Sequence, residues 1–241
     1  MEIRLDDKVA IVTGAGAGTG ALIARTLAAA GASVAVNDIN PDRADRVAQA
    51  IQEAGGQAIA VVADVANKFQ CVKLVETTRA AWHRLDLLVN NAHVEPAATI
   101  LKLDEWDWTR CLDVNLKGTF FMSQLCGRVM ADENQARGGA IVNVVGAAGV
   151  AVPLPRRAAY GASQAGVVGF ARECAREYAQ YGIRVNTVVT NRFTPRDEAE
   201  APLPRPAGPE TLANLVLFLC SGASGHMTGS VVAVDGTQVM R

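Results

Sequence analysis

Seven short runs rich in valine and isoleucine recur along the chain, separated by longer segments of helical pattern, and this alternation constrains the fold more than any other feature. The runs are VAIVTG (9–14), SVAVND (33–38), AIAVVAD (58–64), LDLLVNN (85–91), AIVNVV (140–145), IRVNTVV (183–189) and VVAVDG (231–236). Continuous apolar character, without alternation of polar residues, marks strands covered on both faces, as in a parallel sheet. Between them, residues 18–30, 41–54, 67–83, 104–131, 158–181 and 209–220 read as helices. Pro41 suits a first helical turn, and Asp104 stands before EWDWTRCL as a helix-starting residue. Strand and helix alternate throughout the 241 residues, which predicts an α/β chain: one domain, 1–241, built on a doubly wound parallel sheet of seven strands with helices on both faces.

Composition agrees and excludes several function classes. Half of the residues are hydrophobic, enough for a substantial core. The net charge of −1, with both signs mixed along the chain, argues against nucleic acid or a membrane surface as partner. No apolar run is long enough to span a bilayer, and MEIRLDDK lacks the apolar stretch of a signal peptide, so a cytoplasmic protein is expected. The five cysteines are widely spaced without a C-x-x-C pair, and His83, His93 and His226 are scattered, so neither a disulfide framework nor a metal site is expected. Trp106 and Trp108 are expected to pack on neighbouring elements.

One segment breaks the rhythm. TPRDEAEAPLPRPAGPE (194–210) carries prolines at 195, 202, 204, 206 and 209, which remove backbone donors and disfavour helix at the residues before them. It reads as a shortened, proline-rich loop at the place where an α/β enzyme carries its substrate lid.

The turn after the first strand points to a ligand. VTGAGAGTG joins strand to helix, and Gly14, Gly18 and Gly20 let the backbone bend sharply beside a helix N-terminus whose N–H groups suit a pyrophosphate. Asp38 ends the second run, where a carboxylate accepts from ribose hydroxyls and repels a 2′-phosphate, favouring NAD over NADP. Asp64 ends the third run on the same edge. Close glycine packing and helix capping by the two aspartates are the bland alternative.

Taken together, the motifs resemble those of the short-chain dehydrogenase/reductase family along nearly the whole chain. TGAGAGTG resembles T-G-x-x-x-G-x-G, and NNAH, which includes Asn90, resembles N-N-A-G. DVNLKGTF holds Asn115 in an N-x-x-G context, and IVNVVGAAG resembles the serine-bearing fifth strand. YGASQAG stands at the Y-x-x-x-K site, GIRVNTVVTN resembles the stretch ending in Pro-Gly, and MTGSVVAVDGT the C-terminal strand. The resemblance implies a Rossmann-like fold, a cofactor held by Gly14, Gly18, Gly20, Asp38, Asp64 and Asn90, and catalysis through an Asn-Ser-Tyr-Lys set.

Of that set, Asn115 and Tyr160 are present, Gly146 stands where the family has serine, and Gln164 stands where it has lysine. A free tyrosine has a pKa near ~10, so about 0.1% is ionised at neutral pH. A nearby ammonium lowers that by roughly 1–3 units, and a neutral amide does not do so by charge. Because general acid–base catalysis contributes on the order of 10²–10⁴-fold, the glutamine alone removes much of the family's rate advantage. Other departures fall at the same end of the cleft. His93 replaces the last glycine of N-N-A-G and crowds the nicotinamide; Thr190 and Asn191 replace Pro-Gly; and Thr194 comes one residue early for the carboxamide. The adenosine-side residues are all retained, so NAD binding is expected to survive better there than at the nicotinamide.

Two functions follow from the resemblance. The first is a non-catalytic subunit, by analogy with heteromeric members of the family that contain one inactive subunit type, assembling as a homo- or hetero-tetramer with an active paralogue. Helices covering 104–131 and 158–181 pair across two-fold axes in the family, and the small-residue face AAYGASQAGVVGFA (158–171) permits close approach. The second is an active NAD-dependent oxidoreductase, or a non-redox lyase or isomerase, using Tyr160 with His93 or Gln164 in altered roles.

Overall fold

Alternate residues of each buried strand serve opposite faces of the sheet, and the core divides accordingly. Ala10, Val12, Val34, Val36, Val89 and Val142 belong to one apolar cluster, whereas Val9, Ile11, Ala35, Leu88 and Ile141 belong to the other. The structure, a computed structural model, describes residues 3–151, 153–190 and 208–234. Its strands are β1 (Val9–Val12), β2 (Ser33–Asp38), β3 (Gln57–Val62), β4 (Leu87–Asn90), β5 (Gly139–Gly146), β6 (Ile183–Thr190) and β7 (Val231–Val234). They form one sheet in the order β3-β2-β1-β4-β5-β6-β7, with every neighbouring pair parallel.

The connecting helices are α1 (Gly18–Ala29), α2 (Pro41–Glu53), α3 (Lys68–Trp82), α4 (Glu105–Leu112), α5 (Gly118–Glu133), α6 (Ala158–Tyr178) and α7 (Pro209–Cys220). Ile23 and Leu27 of α1, Val47 and Ile51 of α2, and Leu212, Val216 and Leu219 of α7 fill the first cluster. Leu74 and Val75 of α3, Met122 and Met130 of α5, and Ala171 and Cys174 of α6 fill the second. Each fully buried large apolar side chain stabilises the fold by roughly 1.5–3 kcal/mol relative to exposure. The predicted seven-stranded, doubly wound sheet is the architecture observed.

Local differences have local causes. The expected third strand, 58–64, ends at Val62 because side chains take over its last backbone groups. Asn37 Nδ2 donates to the carbonyls of Val61 and Ala63, both at 3.0 Å, and Gln70 Oε1 accepts from Asp64 N–H at 2.7 Å. The expected helix 104–131 is divided by a π-helical turn, Asp113–Lys117, between α4 and α5. Asn115 sits in that turn and spends its amide on a neighbouring loop, the kind of inserted bond that widens a helix. Asp104 does start α4, accepting from Asp107 N–H at 2.7 Å, and Pro41 does stand in the first turn of α2. The proline-rich loop 194–210 lies outside the described residues apart from Gly208, Pro209 and Glu210, of which the last two begin α7.

Candidate functional site

Strand order reverses between β1 and β4, because β1 leads outward to β2 on one side while β4 continues to β5 on the other. A cleft at the carboxyl ends of such strands is where an open α/β sheet takes its ligands. Gly14 there has φ +60°, and a Cβ on it would lie 2.7 Å from Ala92 Cα, so only glycine fits between the two turns. Gly20 is equally constrained, since a Cβ would meet the Gly14 carbonyl oxygen at 2.2 Å. Gly18 has φ +56° at the first position of α1, whose N-terminus carries no side-chain cap and no acidic residue.

Asp38 ends β2 with its carboxylate buried beneath the glycine turn, accepting from Gly16 N–H at 3.0 Å and Asn40 N–H at 2.9 Å. Both oxygens keep lone pairs for a further donor. Neither aspartate caps a helix: Asn40 caps α2 and Asn67 caps α3. Asp64 accepts from Ala66 N–H at 2.9 Å and pairs with Arg110 Nη1 at 3.0 Å. Gly14, Gly18, Asp38, Asp64, Arg43 and Arg110 line one cavity of about 470 Å³. The two arginines were not legible as site residues in sequence, since each is an ordinary helix-surface residue until the fold brings it to the cleft.

A second cavity, of about 240 Å³, adjoins the first and is lined by His93, Glu95, Gly146, Tyr160 and Thr190 among others. Of the pair expected from sequence, Tyr160 lines this cavity and Gln164 does not. Gln164 Oε1 accepts from Gly146 N–H at 2.7 Å, and its Nε2 lies 3.4 Å from Ser163 Oγ. Tyr160 is buried, and a Cβ on Gly146 would lie 2.3 Å from its Oη and 3.0 Å from Cε1 and Cζ. The tyrosine therefore fills the space that a side chain at 146 would need.

Asn115 makes a two-way amide bridge with Val94, accepting from its N–H at 2.8 Å and donating to its carbonyl at 2.9 Å. It also donates to Ser163 Oγ at 2.9 Å, and Ser163 Oγ donates to the Tyr160 carbonyl at 2.7 Å. The Asn115 carbonyl accepts from Thr119 Oγ1 at 2.7 Å. Glu95 pairs with Arg157 Nε at 2.8 Å, with Arg157 just before α6. Ser163, Glu95 and Arg157 gave no sequence signal, because partners 48 and 62 residues apart meet only in three dimensions.

His93 stands where the two cavities meet, together with Thr19 and Asn91, which line both. Its Nδ1 lies 2.9 Å from the Asn91 carbonyl. A carbonyl oxygen only accepts, so Nδ1 carries the proton. The His93 and Tyr160 ring centroids are 6.2 Å apart at 51°. Asn90, expected on the cofactor side, lines neither cavity. It donates instead to Ser123 Oγ at 3.1 Å and Asn143 Oδ1 at 2.8 Å, joining β4 to β5 and α5, while Asn91 faces the cleft. Asn191 and Thr194 lie outside the described residues. Among the described residues no group of three or more His, Cys, Asp and Glu side chains is placed to hold a metal, and no helix is long and apolar enough to cross a membrane.

Comparison with known proteins places this geometry. Residues 8–197 match the short chain dehydrogenase family. The chain is 38% identical over 244 residues to cis-4-hydroxycyclohexanecarboxylate dehydrogenase of Sinomonas cyclohexanicum, covering 95% of this chain and 96% of that protein. It is 35% identical over 246 residues to (2S)-[(R)-hydroxy(phenyl)methyl]succinyl-CoA dehydrogenase subunit BbsD of Thauera aromatica, covering 96% of each. Among solved structures, 7α-hydroxysteroid dehydrogenase complexed with NADH and 7-oxo glycochenodeoxycholic acid superposes with a TM-score of 0.91 at 32% identity, covering 98% of this chain and 96% of that one.

Proposed function

The chain belongs to the short chain dehydrogenase family, and from that premise we propose that it is a non-catalytic member, keeping the fold and the adenosine side of the NAD site without alcohol–ketone redox chemistry of its own. One observation carries the reading: Gln164 is spent on Gly146 N–H, and Tyr160 fills the space of the missing side chain at 146. NAD, when bound, supplies hydride chemistry at its nicotinamide. Gly14, Gly18 and Gly20 fit its pyrophosphate, and Asp38, with lone pairs to spare, fits its adenosine ribose. Asp64, on the same rim, would help hold the adenosine half. The opposite end does not fit. His93 stands where the two cavities meet, and Gln164, a neutral amide, holds the family's lysine position, so it does not favour the Tyr160 phenolate by charge.

In this reading the chain assembles with an active paralogue as a hetero-tetramer in the cytoplasm. Its five buried free cysteines suit a reducing compartment. The kinship with subunit BbsD supports a heteromeric setting, and the chain takes the part of the inactive subunit of such a 2-[hydroxy(phenyl)methyl]succinyl-CoA dehydrogenase. Native mass spectrometry of the chain, purified alone and co-expressed with a genomically adjacent paralogue, tests it alongside hydride turnover. A mixed oligomer, with turnover only when the paralogue is present, is expected. A stable homomer turning over an alcohol or ketone at an ordinary rate, on the order of 1–10³ s⁻¹, sinks the proposal.

A second reading, an active enzyme with an altered site, is favoured by one feature: Tyr160, His93 and Glu95 all line the 240 Å³ cavity. Tyr160→Phe separates the two, because only the active reading has an activity for that substitution to abolish.

A further inference from the structure

The cleft holds two adjoining cavities that share part of their lining. Among the described residues, Thr19, Asn91 and His93 line both the 470 Å³ and the 240 Å³ cavity. Of these, Thr19 is tied to Asn91, its hydroxyl 3.4 Å from Asn91 Oδ1. Asn91 is bound to the turn after β1, its amide donating to the carbonyls of Thr13 at 3.1 Å and Gly14 at 3.0 Å. The main chain there is equally fixed, since Thr13 Oγ1 accepts from the N–H groups of Asn91 at 3.0 Å and Ala92 at 3.1 Å.

His93 projects from this stapled segment, and its ring is turned by the 2.9 Å bond from Nδ1 to the Asn91 carbonyl. The backbone is held as far as Ala92, so the exposed imidazole makes way for a ligand by rotating, with loss of that bond. Beyond it the second cavity is half the volume of the first and is bounded by the Tyr160 ring resting against Gly146.

We infer that His93 is a ligand-selecting residue that closes the passage between the two cavities, so that the cleft takes an adenosine nucleotide ending at its diphosphate and excludes the nicotinamide half of a dinucleotide. The inference rests on the non-catalytic reading above and sharpens it to a ligand class, of which ADP is the simplest form. The glycine turn, the uncapped start of α1 and Asp38 hold such a nucleotide as they would hold the same half of NAD. The difference lies in what the remainder of a dinucleotide must displace.

Isothermal titration of the intact chain with ADP, NAD⁺ and NADH tests this, using wild type, His93→Gly and His93→Ala. The second substitution guards against added backbone freedom from glycine. Wild type is expected to bind ADP at least as tightly as either dinucleotide. Both substitutions are expected to tighten NAD⁺ and NADH by about tenfold, the factor that about 1.4 kcal/mol supplies, and to leave ADP within about twofold. Wild type that prefers NADH to ADP by tenfold or more overturns the inference. So do substitutions that leave the ADP-to-NADH ratio unchanged, and so does a chain that binds none of the three. A preference for NADH without turnover removes the selectivity and spares the non-catalytic reading; hydride turnover from a weakly held NAD does the reverse.

Discussion

Placing a methyl group on Gly146 separates a tyrosine poised for chemistry from one used as packing. In Gly146→Ala the new Cβ starts 2.3 Å from Tyr160 Oη and 3.0 Å from two ring carbons, so the ring must move or the strand must bend. Overpacking of this kind costs roughly 1–3 kcal/mol, and the lower chain entropy of alanine in the unfolded state returns about 0.4–1 kcal/mol of it. A net loss of up to about 2.6 kcal/mol is expected, which in a chain of this size lowers Tm by up to about 10 °C. Because the shortest contact is to the hydroxyl, Tyr160→Phe removes it, and the double variant should lose less than the sum of the singles by about 1 kcal/mol or more. Urea denaturation of the four proteins in the cycle measures this. A stabilising Gly146→Ala, or additive singles, would refute the claim that Tyr160 occupies the space beside residue 146.

Gln164→Ala deprives the partly buried Gly146 N–H of its acceptor and should cost about 1–3 kcal/mol in the same assay, whereas Gln164→Glu keeps an acceptor and should cost less. Asp38→Ala removes the acceptor for Gly16 and Asn40 N–H together with the ribose-facing carboxylate, so ADP affinity by titration should fall by about tenfold or more. Burial raises the thiols of Cys71 and Cys220 from 9.0 to about 12, and that of Cys174 to about 11; it also raises the Tyr178 phenol from 10.0 to about 12. The unfolded chain therefore ionises first. Stability from these groups is complete below about pH 9 and declines as pH rises toward 12, and the native thiols should resist alkylation at pH 8 until the protein is unfolded.

The sheet was legible because strands buried on both faces have no polar alternation to hide them, and the glycine turn because backbone contact excludes every other side chain. Helix starts at Asp104 and Pro41 were legible for the same local reason. What escaped depends on contacts distant in sequence. Asn90 and Asn91 are adjacent and chemically identical, and only the end of β4 decides that Asn90 turns into the sheet toward Asn143 while Asn91 faces the cleft. At Asn115 the family resemblance implies a helix kink, and what escaped was its anchor, Val94, 21 residues earlier. Gln164 was recognisable as the wrong residue for a proton relay, but its attachment to Gly146 N–H was not, because that bond exists only once α6 packs beside the end of β5.

The most direct test of the central claim, an adenosine side kept and a nicotinamide side closed, is a crystal structure of the chain grown with saturating NAD. The account predicts ordered density for adenosine and diphosphate against the glycine turn and Asp38, ending at His93, with Tyr160 still resting on Gly146. A fully ordered NAD, its nicotinamide past His93 and within hydrogen-bonding reach of the Tyr160 hydroxyl, would contradict it.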